Sequence, residues 1–380
     1  MSNWLFSVKQ DECFRHVCVC GIKLSFFRKR FKRKLAEKLC NMERGENRGQ
    51  WECGQLNRLE NMCKDAISKI QRFDTLPTHY INILRTFAQS LVLPSINRDE
   101  VSSLVENMKT VGVQAREKGP KLIVSLTSYP KRMYDIHMCI YSLLSQTTKP
   151  DKVILWLAES QFPNREEDVP KKVLQLCQYG LEICWCPDYK SHKKLVPALQ
   201  AYPDDVIVTA DDDLYYAPDW LEKLWNKYQE LGSGVIAHRC HRIKIQADKI
   251  QPYTSWQFCV RTGDTTYLNF QTNGGGTLYS PGSIHPDVLK VDKAMELCPC
   301  ADDVWFWGMT VLAGTKIHVL DNPNPIVYTN AIREVCLNQD GTLFSTNKVG
   351  GNDSQLENLF KAYPEIWKRV LQEHRETGKS

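Results

Sequence analysis

The chain has 380 residues, of which 42% are hydrophobic and 24% charged, with a formal net charge of +5. That composition excludes a disordered or fibrous protein and allows one large or two ordinary domains. No stretch reaches the roughly 18 uninterrupted apolar residues of a membrane span, which excludes a helix crossing the bilayer.

The charge is uneven. Residues 1–50 hold a net of +7, so the remainder sums to −2 and the basic character belongs to the amino-terminal arm. The first residues, MSNWLFSVKQDE, carry acids and lack the basic-then-apolar order of a signal peptide. Fifteen cysteines fall largely in apolar runs, and the pairs Cys18/Cys20, Cys184/Cys186 and Cys298/Cys300 belong to no repeated C-x-x-C set. Reduced thiols of a cytoplasmic protein are expected rather than disulfides or structural zinc.

In chain order, KLSFFRKRFKRKLAEKL (23–39) has Leu24, Phe27, Phe31, Leu35 and Leu39 at helical steps, opposite a face of Lys and Arg. The spacing predicts a basic amphipathic helix, suited to an anionic membrane surface or to packing on its own domain. The apolar stripe argues against a nucleic-acid arm. A linker, RGENRGQ, closes this arm near residue 50, and residues 51–118 read as a helical accessory region. From 119 to 380, strand and helix patterns alternate as in an α/β domain. Strands are expected at Leu122–Leu126, Val153–Leu157, Leu181–Cys186 and Val206–Ala210, with helices near 134–145 and 168–179 and a late strand in KIHVL (316–320).

The fourth strand ends on Asp211, Asp212 and Asp213. Alternate side chains of an extended segment share a face, so Asp211 and Asp213 are expected to converge while Asp212 points away. Two such oxygens suit a hard divalent cation with positions left for water and phosphate; the alternative is a solvated acidic turn. NGGGTLYSPGS (273–283) has too many glycines for a regular strand, and Gly274, Gly275 and Gly276 would let the backbone approach a sugar. No G-K-[ST] follows, so it is not a phosphate loop. Trp256 and Tyr279 are candidate sugar-stacking aromatics. His238 and His241 in HRCHR favour a polar site lining over zinc.

From KLIVSLTSYPKR (121–132), through the Asp-rich strand, to ADDVWFWGMTVLAGTKI (301–317), the chain resembles nucleotide-sugar glycosyltransferases of the GT-A fold. It resembles most those that build bacterial surface polysaccharides such as capsule and lipopolysaccharide. The resemblance covers roughly residues 121–320, with weaker likeness to about 370. It implies an α/β, Rossmann-like mixed sheet with helices on both faces, here preceded by an α-helical amino-terminal region. It also implies a nucleoside-diphosphate-sugar donor (UDP-sugar first), a glycan or lipid-linked glycan acceptor, and Mn²⁺ or Mg²⁺. The nucleoside would lie against Thr127, Ser128, Tyr129 and Arg132, with Glu159, Lys193, Lys194 and Asp212 nearby. Asp211 and Asp213 would hold the metal, with His318 as a third ligand. Asp302 and Asp303 resemble the acidic pair that opens a helix in inverting enzymes, where one carboxylate is the general base. The implied location is cytoplasmic, peripheral at the inner face of the membrane. A metal-dependent phosphohydrolase and a non-catalytic membrane- or partner-binding protein are the rival readings.

Overall fold

The computed structural model describes residues 95–330 and 351–377 throughout, and the backbone of three strands nearer the amino terminus. The chain divides into two compact units, Met1–Phe73 and Asp74–Ser380. In the first, β1 (Phe6–Gln10), β2 (Phe14–Val19) and β3 (Ile22–Phe27) form an antiparallel meander. The helix expected over 23–39 is therefore corrected at its start. Residues 22–27 pair with β2 along their whole length, and a ladder of backbone hydrogen bonds outweighs a 3.6-residue pattern over so short a run. Residues 28–39 lie outside the described residues, as do the expected linker and most of the accessory region.

The second unit is built on an eight-stranded mixed sheet. Its central strands are β4 (Leu122–Thr127), β5 (Lys152–Ala158), β6 (Leu181–Cys186) and β7 (Val206–Ala210). All four are parallel, in the order β7-β4-β5-β6. Apolar, β-branched runs of five to seven residues form these strands because helices cover both sheet faces. Alternate residues feed two cores: Ile123, Ile154 and Ile207 face one side, and Val124, Leu155 and Val208 the other. Helix α1 (Arg98–Glu106) contributes Val101 and Val105 to the second core, and α2 (Ile136–Leu144) follows β4.

After β6 the chain passes through α3 (Val196–Ala201) and returns to lay β7 on the far side of β4. Connections from β4 and β7 thus leave in opposite directions, which opens a crevice at their carboxyl ends. Helix α4 (Trp220–Leu231) and strand β8 (Val235–Ala237) come next. A second, three-stranded sheet holds β9 (Cys240–Arg242) at its centre, flanked by β10 (Gln257–Val260) and β12 (Asn269–Gln271). Between those two, β11 (Thr265–Thr266) joins the edge of the large sheet. Strand β13 (Thr277–Tyr279) runs antiparallel between β7 and β8, and β14 (Ile317–Val319) lies parallel to β8. Helix α5 (Asp302–Leu312) is buried along most of its length, with α6 (Asn352–Ala362) and α7 (Pro364–Thr377) packed against it. A Cβ on Gly308 would meet Leu359 Cδ2 at 2.4 Å, so any larger residue there would have to displace that side chain.

Candidate active site

Strand β7 is fully buried between β4 and β13 and ends at Ala210. The three aspartates then leave the sheet, with Asp212 and Asp213 in a turn, so strand alternation no longer sets their directions. Asp211 bonds to the Lys194 ammonium, whereas Asp213 meets Arg132 Nη1 at 2.5 Å. Asp212, expected to point away, accepts a hydrogen bond from Ser128 Oγ and lies 3.7 Å from the same Arg132 nitrogen. Burial pushes the Asp212 carboxyl up to about 6 against the opposing pull of Arg132. The Ser128–Arg132 turn at the end of β4 is thus tied to the end of β7 across the crevice. Thr127 Oγ1 is bonded to the Trp156 carbonyl at 2.8 Å, and Tyr129 is half-buried in the turn.

Lys194 is the cation around which the acids gather. Ser125 Oγ on β4 donates to its carbonyl at 2.6 Å, and Trp156 Nε1 donates to that hydroxyl at 3.0 Å. Held in this way, its buried Nζ bonds to Asp211 and lies 3.3 Å from Asp302 Oδ2. Burial works to lower the lysine pKa, yet Asp211, Asp302 and Asp303 together hold it well above the usual value. Its neighbour Lys193 turns the other way, to Asp188 at 2.5 Å. Glu159 is half-exposed and paired with Arg165 at 2.8 Å.

Asp302 and Asp303 occupy the first turn of α5, where the helix dipole favours anions. The flanking Trp305, Phe306 and Trp307 are fully buried and anchor the helix, with Trp305 Nε1 donating to the Val288 carbonyl and Trp307 Nε1 to that of Tyr267. The two acids differ in environment. Burial would raise the Asp302 pKa, but Lys194, His192 and Ser191 together outweigh it and hold the carboxyl below the usual range. For Asp303, burial and the negative charge of Asp302 act in the same direction, pushing it up to about 7. Its Oδ1 accepts from both Asn273 N (2.9 Å) and Asn273 Nδ2 (2.7 Å). The Asn273 amide is itself fixed, because its Oδ1 accepts from Thr209 Oγ1 at 2.8 Å and Tyr279 OH at 2.9 Å. These bonds hold one oxygen of Asp303 and leave the other for a proton.

The three glycines after Asn273 serve close packing. A Cβ on Gly274 would lie 2.5 Å from Asp211 Oδ2, and one on Gly276, at φ +102°, would lie 2.4 Å from Trp220 Nε1. Tyr216 OH accepts from Asp211 N and donates to the Gly274 carbonyl, and Trp220 Nε1 donates to that of Gly275. Asn273, Tyr216 and Trp220 were missed as site residues by sequence reasoning; only the position of Asn273 directly before the glycines hinted at a role.

Several expected residues lie elsewhere. Trp256 is buried against Tyr253 and Phe270, with its Nε1 bonded to the Gln251 carbonyl, so no sugar reaches its face. Tyr279 is likewise buried. His318 accompanies Thr265, 2.9 Å from its Oγ1, and sits in register with Ile236, Leu278 and then Val208 across three strand spacings. At ~4.8 Å per strand this is roughly 14 Å from β7, too far to share a cation with Asp211. His238 and His241 bond to separate backbone groups, and burial pulls each down to about 4.

A divalent cation tests the acid triplet directly. Asp211 and Asp213 keep side-chain exposures of 31% and 20%, against 11% for Asp212. Among the described residues no three His, Cys, Asp or Glu side chains converge on one ion. Asp211 and Asp213 face different cations, Lys194 and Arg132, so the expected convergence of the two does not appear and the triplet forms no closed protein cage. Partly exposed carboxylates are the donor type of a hard cation that completes its shell from water and phosphate. All eight described cysteines are free thiols, including Cys184/Cys186 and Cys298/Cys300.

Residues 135–283 match the glycosyl transferase family 2 model. The domain is a glycosyltransferase domain of the GT-A fold. The match takes in the aspartate turn, Lys194 and the glycine loop; Asp302 and Asp303 of the same glycosyltransferase lie beyond it. Solved structures similar to it include S. aureus TarS 1-349, at 15% identity and TM-score 0.37, covering 64% of this chain and 72% of that one. Its complex with UDP-GlcNAc stands at 16% identity and TM-score 0.36, over 55% and 58% of the two chains. A CMP:2-keto-3-deoxy-manno-octonic acid synthetase complexed with CTP stands at 12% and 0.35, over 59% and 99%. No curated protein matches the chain significantly.

Proposed function

We propose that the domain transfers a sugar, with inversion, from a nucleoside-diphosphate sugar to a hydroxyl of a glycan or lipid-linked glycan acceptor. UDP-sugars come first as donors, and surface polysaccharide synthesis is the proposed setting. The observation that carries this reading is Asp303, a helix-N-terminal carboxyl poised near neutrality beside the strand-end acids at the switch point. A base of that pKa matches proton abstraction at working pH. Asp303 takes the proton of the acceptor hydroxyl as its oxygen bonds to the anomeric carbon. The bond from that carbon to the diphosphate oxygen breaks, and the nucleoside diphosphate leaves with the electron pair. Ser128 and Arg132 line the nucleotide side, where a guanidinium meets phosphate oxygens well. Asp211 and Asp213 would hold Mn²⁺ or Mg²⁺, which supplies charge stabilisation to the departing diphosphate. Lys194 pairs with Asp211 and helps to keep Asp302 ionised. Direct displacement with inversion fits a single base at Asp303; a product that retains the donor's anomeric configuration would refute it.

A nucleotide-sugar hydrolysis panel with Mn²⁺ tests the class. Slow, metal-dependent release of one nucleoside diphosphate is expected, and it should disappear in the Asp211→Ala/Asp213→Ala double variant. Release of inorganic phosphate from simple phosphate esters, without preference for nucleotide sugars, would favour a phosphohydrolase.

The proposed location is cytoplasmic, at the inner face of the membrane. Among the described residues no helix is long and apolar enough to cross a bilayer. The support is the net +7 of residues 1–50, since juxtaposed basic residues each gain roughly 1 kcal/mol at an anionic surface. The full chain should sediment with phosphatidylserine vesicles at low salt and be released at high salt; equal binding to neutral vesicles would contradict an electrostatic mode.

A further inference from the structure

The second sheet carries groups that the proposed reaction leaves unused. Arg239 lies just before β9, opposite Thr272, and His241 lies opposite Phe270. Period-two alternation therefore puts Arg239 and His241 on the face where Phe270 packs against Trp307 of α5. Asp303 is fastened to the same edge through Asn273, the residue after Thr272. On this face the His241 ring lies 4.5 Å from Phe258 and 5.8 Å from Tyr253, and Phe258 and Tyr253 meet edge-on at 5.4 Å.

Phe258 is 47% exposed despite this packing. The backbone puts it there. Strand β10 slips register between Gln257 and Val260, and Cys259 adopts φ +53° with its N–H bonded to His241 Nδ1 at 3.1 Å. A non-glycine residue in the left-handed region costs of order 1–3 kcal/mol, and such strain persists where surrounding structure enforces it. Bulges of this kind re-aim side chains beside active sites.

Arg239 supplies charge at the same place. Its Nε donates to Thr272 Oγ1, while its two terminal amino groups have no hydrogen-bond or carboxylate partner among the described residues. A Cβ on Gly274 would lie 3.0 Å from Arg239 Nη2, which puts the guanidinium at the rim of the crevice. Two adjacent N–H groups in a plane match the two oxygens of a phosphate or carboxylate. An exposed aromatic ring beside them suits the apolar face of a sugar.

Resting on the glycosyl-transfer reading, we propose that this face is the acceptor subsite and takes an anionic glycan. The sugar lies against Phe258 and its phosphate or carboxylate against Arg239, which directs the attacking hydroxyl to Asp303.

Saturation-transfer NMR on the full chain, with UDP present, tests this with glucose, glucuronate and glucose 6-phosphate at millimolar concentration. At least one anionic sugar should bind about tenfold more tightly than glucose, and which one identifies carboxylate or phosphate as the preferred group. Arg239→Gln should abolish that preference, and Phe258→Ala should weaken all sugars by about tenfold. Calorimetry should find UDP affinity unchanged in both variants. Equal binding of glucose and the anions, or no sugar binding at all, overturns the proposal. So does weakened UDP binding in Arg239→Gln, which would assign the guanidinium to the donor. Failure of the wild-type chain to bind any nucleotide would instead sink the transferase reading, and this proposal with it.

Discussion

Asp303→Asn should lower turnover by about 10²–10⁴-fold while the protein stays folded. Asparagine keeps an Oδ1 that accepts both Asn273 N–H groups, so the helix start and the glycine loop retain their contacts. Only the capacity to take a proton is removed. In the wild type, the rate should rise with pH through an apparent value near 7, because burial and the Asp302 charge keep Asp303 protonated below that. Stability should run the opposite way. An aspartate near 3.9 in the unfolded chain and about 7 in the folded one makes the folded state bind more protons across that window. Stability from this group therefore falls as pH rises from about 4 to 7, and the full penalty stands above 7. The asparagine variant escapes it and should melt at or above the wild-type temperature at pH 8. Nucleoside diphosphate release and circular dichroism melts measure both effects. Near-normal turnover in the variant would remove Asp303 as the base.

Lys194→Met should be the most destabilising change in the site. Methionine replaces the lysine's apolar stem with one of similar volume and lacks the ammonium, so the loss is chiefly one of charge. Without the ammonium, Asp211 and Asp302 lose their cation in a buried setting, a defect that costs about 3–5 kcal/mol. The lysine pKa is raised on folding, so its contribution is complete below the unfolded value near 10.4 and constant across the neutral range. Acid provides partial relief in the variant, because protonating the carboxylates removes their mutual repulsion. Urea unfolding should show a large loss at pH 8 and a smaller one at pH 5. The acidic limb of the rate profile should also move above 7, since Lys194 pulls the Asp303 pKa down. Lys194→Arg, which keeps the charge, should recover part of the stability. Unchanged stability at pH 8 would mean that the lysine does not neutralise the cluster.

The large sheet was legible because its strands are buried on both faces. Continuous apolar runs at 122–126, 153–157, 181–186 and 206–210 have few other solutions in an α/β pattern, and the structure extends the first two by a residue or two. The second sheet was not legible, because its strands are three or four residues long and too short for any periodicity to register. The same limit applies to β3. Six residues of KLSFF and its neighbours fit a helix stripe or a strand equally well, and only pairing with β2 decides.

The candidate site divides along a similar line. Local sequence determined that an acid triplet would end a central strand, that an acidic pair would open a buried helix, and that glycines would crowd one loop. Each depends on chemistry within a few residues. Tertiary structure alone decided which groups meet: that Lys194 bridges Asp211 and Asp302, that Asn273 holds Asp303, that Trp256 is core, and that His318 stands three strands away. Direction beyond a strand's last residue is set by the turn that follows and by partners scores of residues distant, and neither is encoded in the spacing of the residues themselves.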